Sequence, residues 1–342
     1  MLNMMSIRTE DNPKNILARH LERRPSSRPA AARLGETNDC DSRRIEARKS
    51  RVAADGAGAY RNMTKVALSG AEGQLGRFLR LSLLAQGVDL RSADLHPLEP
   101  LRPGEDLTHG DLRDPVNVDR LLQGIDVLIH MAGTSVERPL PEIIENNLVG
   151  LHAVYEGARR HRVKRVVFAS SNHSIGMHEV TERLGLDCDF RPDGFYGLSK
   201  MWGEGLARLY WDKHGIESVC VRIGSAVERP TELRQLSTWF GLEDLMQFIH
   251  CCINTPNVGF LTAWGVSNNT RSYWTPTGCA RLGYQPAQNS EDFAADILRQ
   301  QNPLDAIGQR YQGGSFARFD YTPHDQRPRG RLTSASTLPT TP

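Results

Sequence analysis

Lys65-Val-Ala-Leu-Ser-Gly70-Ala-Glu-Gly73-Gln-Leu-Gly76 is the stretch on which the fold turns. Lys65–Leu68 reads as a strand, Gly70–Gly76 as a glycine loop, and Arg77–Gln86 as a helix that buries Phe78, Leu79, Leu81, Leu83 and Leu84. Gly87 suits the helix's C-terminal end. Gly70, Gly73 and Gly76 permit a tight turn, close backbone approach to a pyrophosphate and packing of helix on strand. The helix N-terminus, with Gln74 and Leu75, offers free N–H groups to the phosphates. The spacing is G-x-x-G-x-x-G, one residue wider at the front than the G-x-G-x-x-G fingerprint. Val88–Ala93 reads as the second strand and ends at Asp94, 18 positions after Gly76. A carboxylate there can accept from both ribose hydroxyls and repels a 2′-phosphate, which favours NAD over NADP.

The alternation continues outward. Ile125–His130 and Val163–Ala169 read as strands, and Ile143–Arg160 and Tyr196–His214 as helices. Strands alternating with helices imply a parallel sheet covered on both faces. The expected fold is α/β: a Rossmann-type, doubly wound parallel sheet over 63–302. A small substrate-binding cap is expected mainly from 225–285. Small residues in Met131-Ala-Gly-Thr-Ser135 let a cofactor lie across the strand ends, and Gly110-Asp111-Leu112 lies where adenine could be contacted.

Both ends of the 342-residue chain differ from its middle. Residues 1–62 carry 13 Lys/Arg against 8 Asp/Glu, and 303–342 carry 5 against 3. The middle, with 24 against 29, is mildly acidic. Both ends lack sustained apolar periodicity and are expected to be disordered. Met63 is read as the natural start, with 1–62 an upstream over-read or a dispensable arm; Glu10, Asp11 and Glu22 speak against a mitochondrial transit peptide. An acidic middle argues against a nucleic-acid binder, which needs a basic face. No apolar run is long enough for a transmembrane helix. Cys40, Cys188, Cys220, Cys251, Cys252 and Cys279 form no C-x-x-C pair and read as reduced thiols, with no metal site expected. Cys251 and Cys252 fall in an apolar helical stretch, Leu242–Ile253, as packing residues. A cytoplasmic protein, with no membrane or nucleic-acid partner, is the default.

Tyr196-Gly-Leu-Ser-Lys200 carries the chemistry. Four residues apart on a helix, Tyr196 and Lys200 project from one face. Free tyrosine, with a pKa of about 10, is a poor base at neutral pH. A nearby ammonium stabilises the phenolate; reaching pH 7 takes about 4 kcal/mol of differential interaction. Lys200 can also hold the nicotinamide ribose. Ser171, at the end of Ala169-Ser-Ser171, can hydrogen-bond the reacting oxygen and complete a proton-transfer set.

The glycine loop, Asp94, Asp111-Leu112, Asn147, Ser171, Tyr196 and Lys200, in this order, resemble the extended short-chain dehydrogenase/reductase family. Asn147 matches that family's structural asparagine. Several stretches look like its uronate dehydrogenase branch: Gly70–Arg77, Ser170-Ser-Asn-His-Ser-Ile-Gly176, Arg191–Lys200, Val221-Arg-Ile-Gly-Ser225 and Leu236-Ser-Thr-Trp-Phe240. The similarity covers roughly 64–300. It implies NAD-dependent oxidation of the C1 hydroxyl of a cyclic hexuronic acid, glucuronate or galacturonate, to an aldarolactone. Tyr196 would be the base, tuned by Lys200. Ser171, Asn172 and His173 would contact the sugar, and Ser135 and Ser225 would lie at substrate or nicotinamide contacts. Arg234 would grip the carboxylate, for which a guanidinium is the preferred bidentate partner. Arg222 and Arg229 are rivals for that role. The resemblance also implies a homo-oligomer joined through long helices.

Two other readings stand beside this one. A sugar-nucleotide epimerase or dehydratase would use the same Tyr and Lys but return the hydride to its substrate. Such enzymes usually need a larger C-terminal lobe than the roughly 100 residues between Lys200 and the tail. A non-catalytic NAD sensor would not need the intact Ser-Tyr-Lys set.

Overall fold

The computed structural model describes residues 64–275, 279–300, 306–323 and 326. The expectations for 1–62, Met63, Cys40 and 327–342 lie outside the described residues. The first half alternates as expected: β1 (Lys65–Ser69), α1 (Gln74–Ala85), β2 (Asp89–Asp94), β3 (Asp106–His109), α2 (Pro115–Leu122) and β4 (Val127–His130). Then come α3 (Leu140–Ile143), α4 (Gly150–His161), β5 (Arg165–Ser171), α5 (Phe195–His214) and β6 (Glu217–Ile223). The remainder is β7 (Ser225–Ala226), α6 (Gln235–Thr238), β8 (Trp239–Phe240), α7 (Leu242–Asn254), β9 (Phe260–Gly265), α8 (Ala294–Leu298) and α9 (Ala306–Arg310).

Seven strands form one sheet in the order β3-β2-β1-β4-β5-β6-β9, and every pairing is parallel. Helices cover both faces, so the inner strands read as near-continuous apolar runs, as in Val66-Ala-Leu68. One apolar layer packs Leu79 and Leu83 of α1 with Phe248 and Ile249 of α7. The other joins Leu121 of α2, Val154 of α4 and Leu206 of α5. The order of strands reverses between β1 and β4, which opens a crevice at their carboxyl ends.

Some local features depart from expectation. β3 was not anticipated, because an edge strand reading Asp-Leu-Thr-His buries only Thr108 and shows no apolar run. The long helix expected over Ile143–Arg160 is interrupted by a π-helical segment, Ile144–Val149, between α3 and α4. Asn147 lies in that segment and is buried. Its Oδ1 accepts from Thr134 N at 2.8 Å, and its Nδ2 donates to Thr134 O at 3.0 Å and Ser199 Oγ at 2.9 Å. It thereby ties the loop after β4 to α5. The span 225–285 expected as a cap contains β9, which belongs to the main sheet.

The tail expected to be disordered from 303 is corrected over its described part. Residues 306–323 include α9 and a 3-10 turn at Gly314–Arg318, and they pack on the body. Gln312 is the reason, being fully buried with every polar group bonded. Its N donates to His178 O at 2.8 Å, and its Nε2 to Glu179 O at 3.0 Å and Glu182 O at 2.9 Å. Its Oε1 accepts from Trp274 Nε1 at 3.0 Å, and its carbonyl from Arg234 Nε at 2.6 Å. Order here comes from long-range hydrogen bonds, which leave no periodic trace in sequence. Gln312→Leu strands the Trp274 N–H and two carbonyls; urea unfolding should show a loss of roughly 2–4 kcal/mol.

Candidate active site

The crevice holds a cavity of about 760 Å³. Every residue singled out from sequence for cofactor, catalysis or substrate lines it, apart from the two rival arginines Arg222 and Arg229. At one end lie Gly70, Gly73, Gln74, Leu75 and Gly76, with Asp94, Asp111 and Leu112; at the other lie Ser135, Ser171, Asn172, His173, Tyr196, Lys200, Ser225 and Arg234.

Sterics dictate the glycine end. Gly70 has φ +74°, and a Cβ there would come within 2.7 Å of Ala132 N. A Cβ on Gly76 would overlap the carbonyl oxygen of Gly70. The backbone therefore approaches the crevice more closely than any side chain allows. Asp94 locks the arrangement: its Oδ2 accepts from Glu72 N at 2.9 Å and its Oδ1 from His96 N at 3.0 Å. Arg113, beside Asp111, holds that carboxyl below its ordinary pKa. A glycine turn opening a helix, whose first-turn N–H groups have no intrahelical acceptor, with an acid at the end of β2, fits a dinucleotide.

Tyr196 and Lys200 sit at the start of α5. No side chain adjacent in sequence caps this helix. Glu137, from the loop after β4, does so instead: its Oε1 accepts from Phe195 N at 2.9 Å and its Oε2 from Tyr196 N at 3.0 Å. Sequence reasoning missed Glu137, which lies 58 residues away from its partner. Tyr196 and Lys200 are both buried, with Lys200 Nζ 5.4 Å from the Tyr196 ring centre and 5.1 Å from that of Phe168.

Their protonation differs from expectation. Burial pushes the Tyr196 phenol up to about 12; a hydrogen bond with Ser171 works against this, and the charge of Asp193 adds to it. Burial also pushes Lys200 down to about 8. The low dielectric around the pair is thus the largest influence on each group in the protein alone. His130, packed behind them with Nδ1 2.8 Å from Ser69 Oγ, is pushed down to about 3 by burial, with Lys200 contributing.

The structure discriminates among the three arginines. Arg222 is buried beneath the site, paired with Glu204 at 3.0 Å. Arg229 is exposed and pairs with Asp296 at 3.1 Å. Arg234 alone of the three lines the cavity, and among the described residues it makes no ion pair. Neutral acceptors hold it. Nε donates to Gln312 O at 2.6 Å and Nη1 to Ser225 Oγ at 3.3 Å. Nη2 donates to the side-chain oxygen of Asn172 at 2.6 Å, in the amide orientation whose nitrogen donates to Ile223 O at 2.9 Å. Burial pulls its pKa below the ordinary value, and Glu232, Tyr273 and Asp193 partly offset that.

The C-terminal segment supplies lining that sequence reasoning missed: Gly313, Ser315 and Phe316. Phe316 stacks on His173 with ring centres 3.9 Å apart and lies 6.2 Å from the Tyr196 ring. Its place in an apolar-poor tail left no local signal.

Fold and site together define a Rossmann-type dehydrogenase or epimerase. The sequence signature of the "NAD dependent epimerase/dehydratase family" matches residues 66–229. The uronate dehydrogenase of Pseudomonas putida is 42% identical over 255 residues, 74% of this chain and 95% of that protein. A crystal structure of uronate dehydrogenase from Agrobacterium tumefaciens, a tyrosine-to-alanine mutant complexed with NAD, is 42% identical. It matches with a TM-score of 0.71, covering 75% of this chain and 97% of that one. Glucuronic acid dehydrogenase from Chromohalobacter salexigens is 36% identical, with the same TM-score and coverage. The chain belongs to the NAD dependent epimerase/dehydratase family and, within it, to the uronate dehydrogenases.

Burying Lys200 sets a stability cost. A folded pKa of about 8 against an ordinary 10.5 disfavours the charged form by roughly 3 kcal/mol. That cost is full below about pH 8 and fades as pH rises toward 10.5. Lys200→Met should therefore melt at higher temperature than the parent at pH 7, with the gain shrinking by pH 10, while turnover is lost.

Proposed function

We propose that this chain oxidises the C1 hydroxyl of a cyclic hexuronic acid, glucuronate or galacturonate, to an aldarolactone with NAD. Arg234 carries the reading. A buried guanidinium held only by neutral acceptors, and facing a cavity, lacks a counter-anion that a substrate carboxylate would supply. The uronate dehydrogenases similar to this chain support it.

Bound NAD⁺ supplies the hydride acceptor and a positive charge. Gly70, Gly73, Gln74, Leu75 and Gly76 would hold its phosphates, Asp94 its adenosine ribose, and Asp111 and Leu112 its adenine. Tyr196 takes the C1 hydroxyl proton. Ser171 hydrogen-bonds the same oxygen, and Lys200 holds ribose while placing its charge beside the phenol. Arg234 fixes the carboxylate, so the sugar has one orientation with C1 toward Tyr196. Ser135, Asn172, His173 and Ser225 supply further polar contacts. The buried setting strengthens each of these interactions relative to water.

A cytoplasmic setting is part of the proposal, supported by five free thiols at Cys188, Cys220, Cys251, Cys252 and Cys279. Among the described residues no helix is long and apolar enough to cross a membrane. Self-association is also part of it, supported by exposed Leu198 and Leu209 on α5.

NADH formation with glucuronate, galacturonate, glucose and galactose tests the activity. Arg234→Met should raise KM for the uronates about 10- to 100-fold and leave the neutral sugars nearly unchanged. Equal turnover of neutral sugars by the parent protein would remove the carboxylate reading. Tyr196→Phe should lower kcat by about 10²- to 10⁴-fold.

A further inference from the structure

Asp193 is a buried carboxylate that sits one side chain away from the cavity; its charge acts on the Tyr196 phenol and on Arg234, and it also contacts His173. Its Oδ2 lies 2.7 Å from His173 Nδ1, and its backbone N donates to His173 O at 3.2 Å. The carboxyl group itself is fully shielded from solvent. Its Oδ1 has no hydrogen-bond partner among the described residues. Such a group is costly to bury, and native interiors keep few of them.

The surrounding backbone is shaped to admit this side chain. A Cβ on Gly176 or on Gly313 would overlap Asp193 Oδ2. A Cβ on Gly197 would lie 3.1 Å from Oδ1 and overlap His173 O. These glycines come from three separate places: the turn after β5, the C-terminal segment and the first turn of α5. Gly313 N also donates to Gly176 O at 2.8 Å, closing the cradle.

His173 is held from several sides. Its ring stacks on Phe316 at 3.9 Å and lies 5.7 Å from the Tyr196 ring. Its N–H donates to Ser171 Oγ at 3.1 Å. Nδ1 faces Asp193, so Nε2 is the nitrogen left for a ligand in a residue that lines the cavity.

We propose that Asp193 is a positioning residue: by accepting from His173 Nδ1 it fixes the imidazole tautomer and leaves Nε2 as an acceptor for a substrate hydroxyl. A carboxylate only accepts, so the ring proton must sit on Nδ1, and the neutral ring then carries its lone pair on Nε2. The site thereby reads a hydroxyl through His173 and a carboxylate through Arg234, two contacts of opposite polarity that orient a sugar acid. The proposal rests on the uronate reading for the identity of that hydroxyl, but the tautomer itself does not.

Asp193→Asn separates the possibilities because it keeps shape and removes charge. An amide that donates to Nδ1 would move the ring proton to Nε2, turning an acceptor into a donor. Histidine ¹⁵N shifts of the full chain, with His173 assigned by comparison with His173→Gln, report the tautomer without any substrate. The expected result is a proton on Nδ1 in the parent and loss of that fixed tautomer in Asp193→Asn, with protonation of Nε2 becoming populated, because an amide can meet Nδ1 with either its NH2 or its oxygen. Asp193→Asn should also lower kcat/KM for glucuronate about 10- to 100-fold, with NAD affinity and melting temperature close to the parent. Adding His173→Gln to Asp193→Asn should cost little more than either change alone, since the two act as one unit. A parent ring with its proton on Nε2, or losses that multiply in the double variant, would overturn the proposal. If Asp193→Asn fails to fold, the ¹⁵N shifts of the parent alone decide: a proton on Nδ1 supports the assignment and one on Nε2 overturns it. If the parent turns over no uronate, the function reading fails while the tautomer measurement still decides the role of Asp193.

Discussion

A guanidinium at the closed end of the crevice governs much of what surrounds it. Removing a cation from water without a counter-ion is costly, and the cost is borne only where its donors are met. Arg234 meets them with a backbone carbonyl from Gln312, a hydroxyl from Ser225 and an amide oxygen from Asn172. These acceptors come from the C-terminal segment, β7 and the turn after β5. None neutralises the charge. Glu232, which also lines the cavity, and Asp193 act on the charge only from a distance, so Arg234 is satisfied in hydrogen bonds while forming no ion pair among the described residues.

Holding Arg234 this way requires Gln312 to be fixed, and that brings Phe316 over His173. The C-terminal segment is thus part of the site wall and not an appendage. The same turn at Gly313 forms one wall of the Asp193 cradle, so the surroundings of Arg234 and of His173 share one piece of backbone. Across the cavity, Glu137 and Asn147 tie the loop carrying Ser135 to the helix carrying Tyr196 and Lys200. The elements of the site are joined by hydrogen bonds between segments distant in sequence, which favours a pre-organised geometry.

Electrostatics in the catalytic pair run opposite to a simple cation–phenol picture. Both groups are buried, and burial favours the neutral form of each. The phenol is consequently no base in the protein by itself. On the proposed reading, its activation would belong to the complex with NAD⁺, whose positive charge would lie close to it.

What the sequence by itself determined is local in origin. The strand, glycine loop and helix of Lys65–Ala85, the acid at Asp94 and the Tyr196–Lys200 spacing each depend on contacts within a turn or one βαβ unit. Periodicity and glycine placement therefore reveal them, and the doubly wound sheet follows. The resemblance then pointed to Arg234 but left Arg222 and Arg229 as rivals. Only the tertiary structure placed Arg234 in the cavity wall and the other two in ion pairs elsewhere, because pairing with Glu204 or Asp296 depends on distant segments meeting. It also decided that residues 306–323 fold back, that Glu137 caps α5, and that Asp193 lies against His173. Each is a long-range polar contact made by a side chain whose sequence neighbours carry no mark of it. Hydrophobic patterning encodes which face is buried; it does not encode which buried polar groups meet.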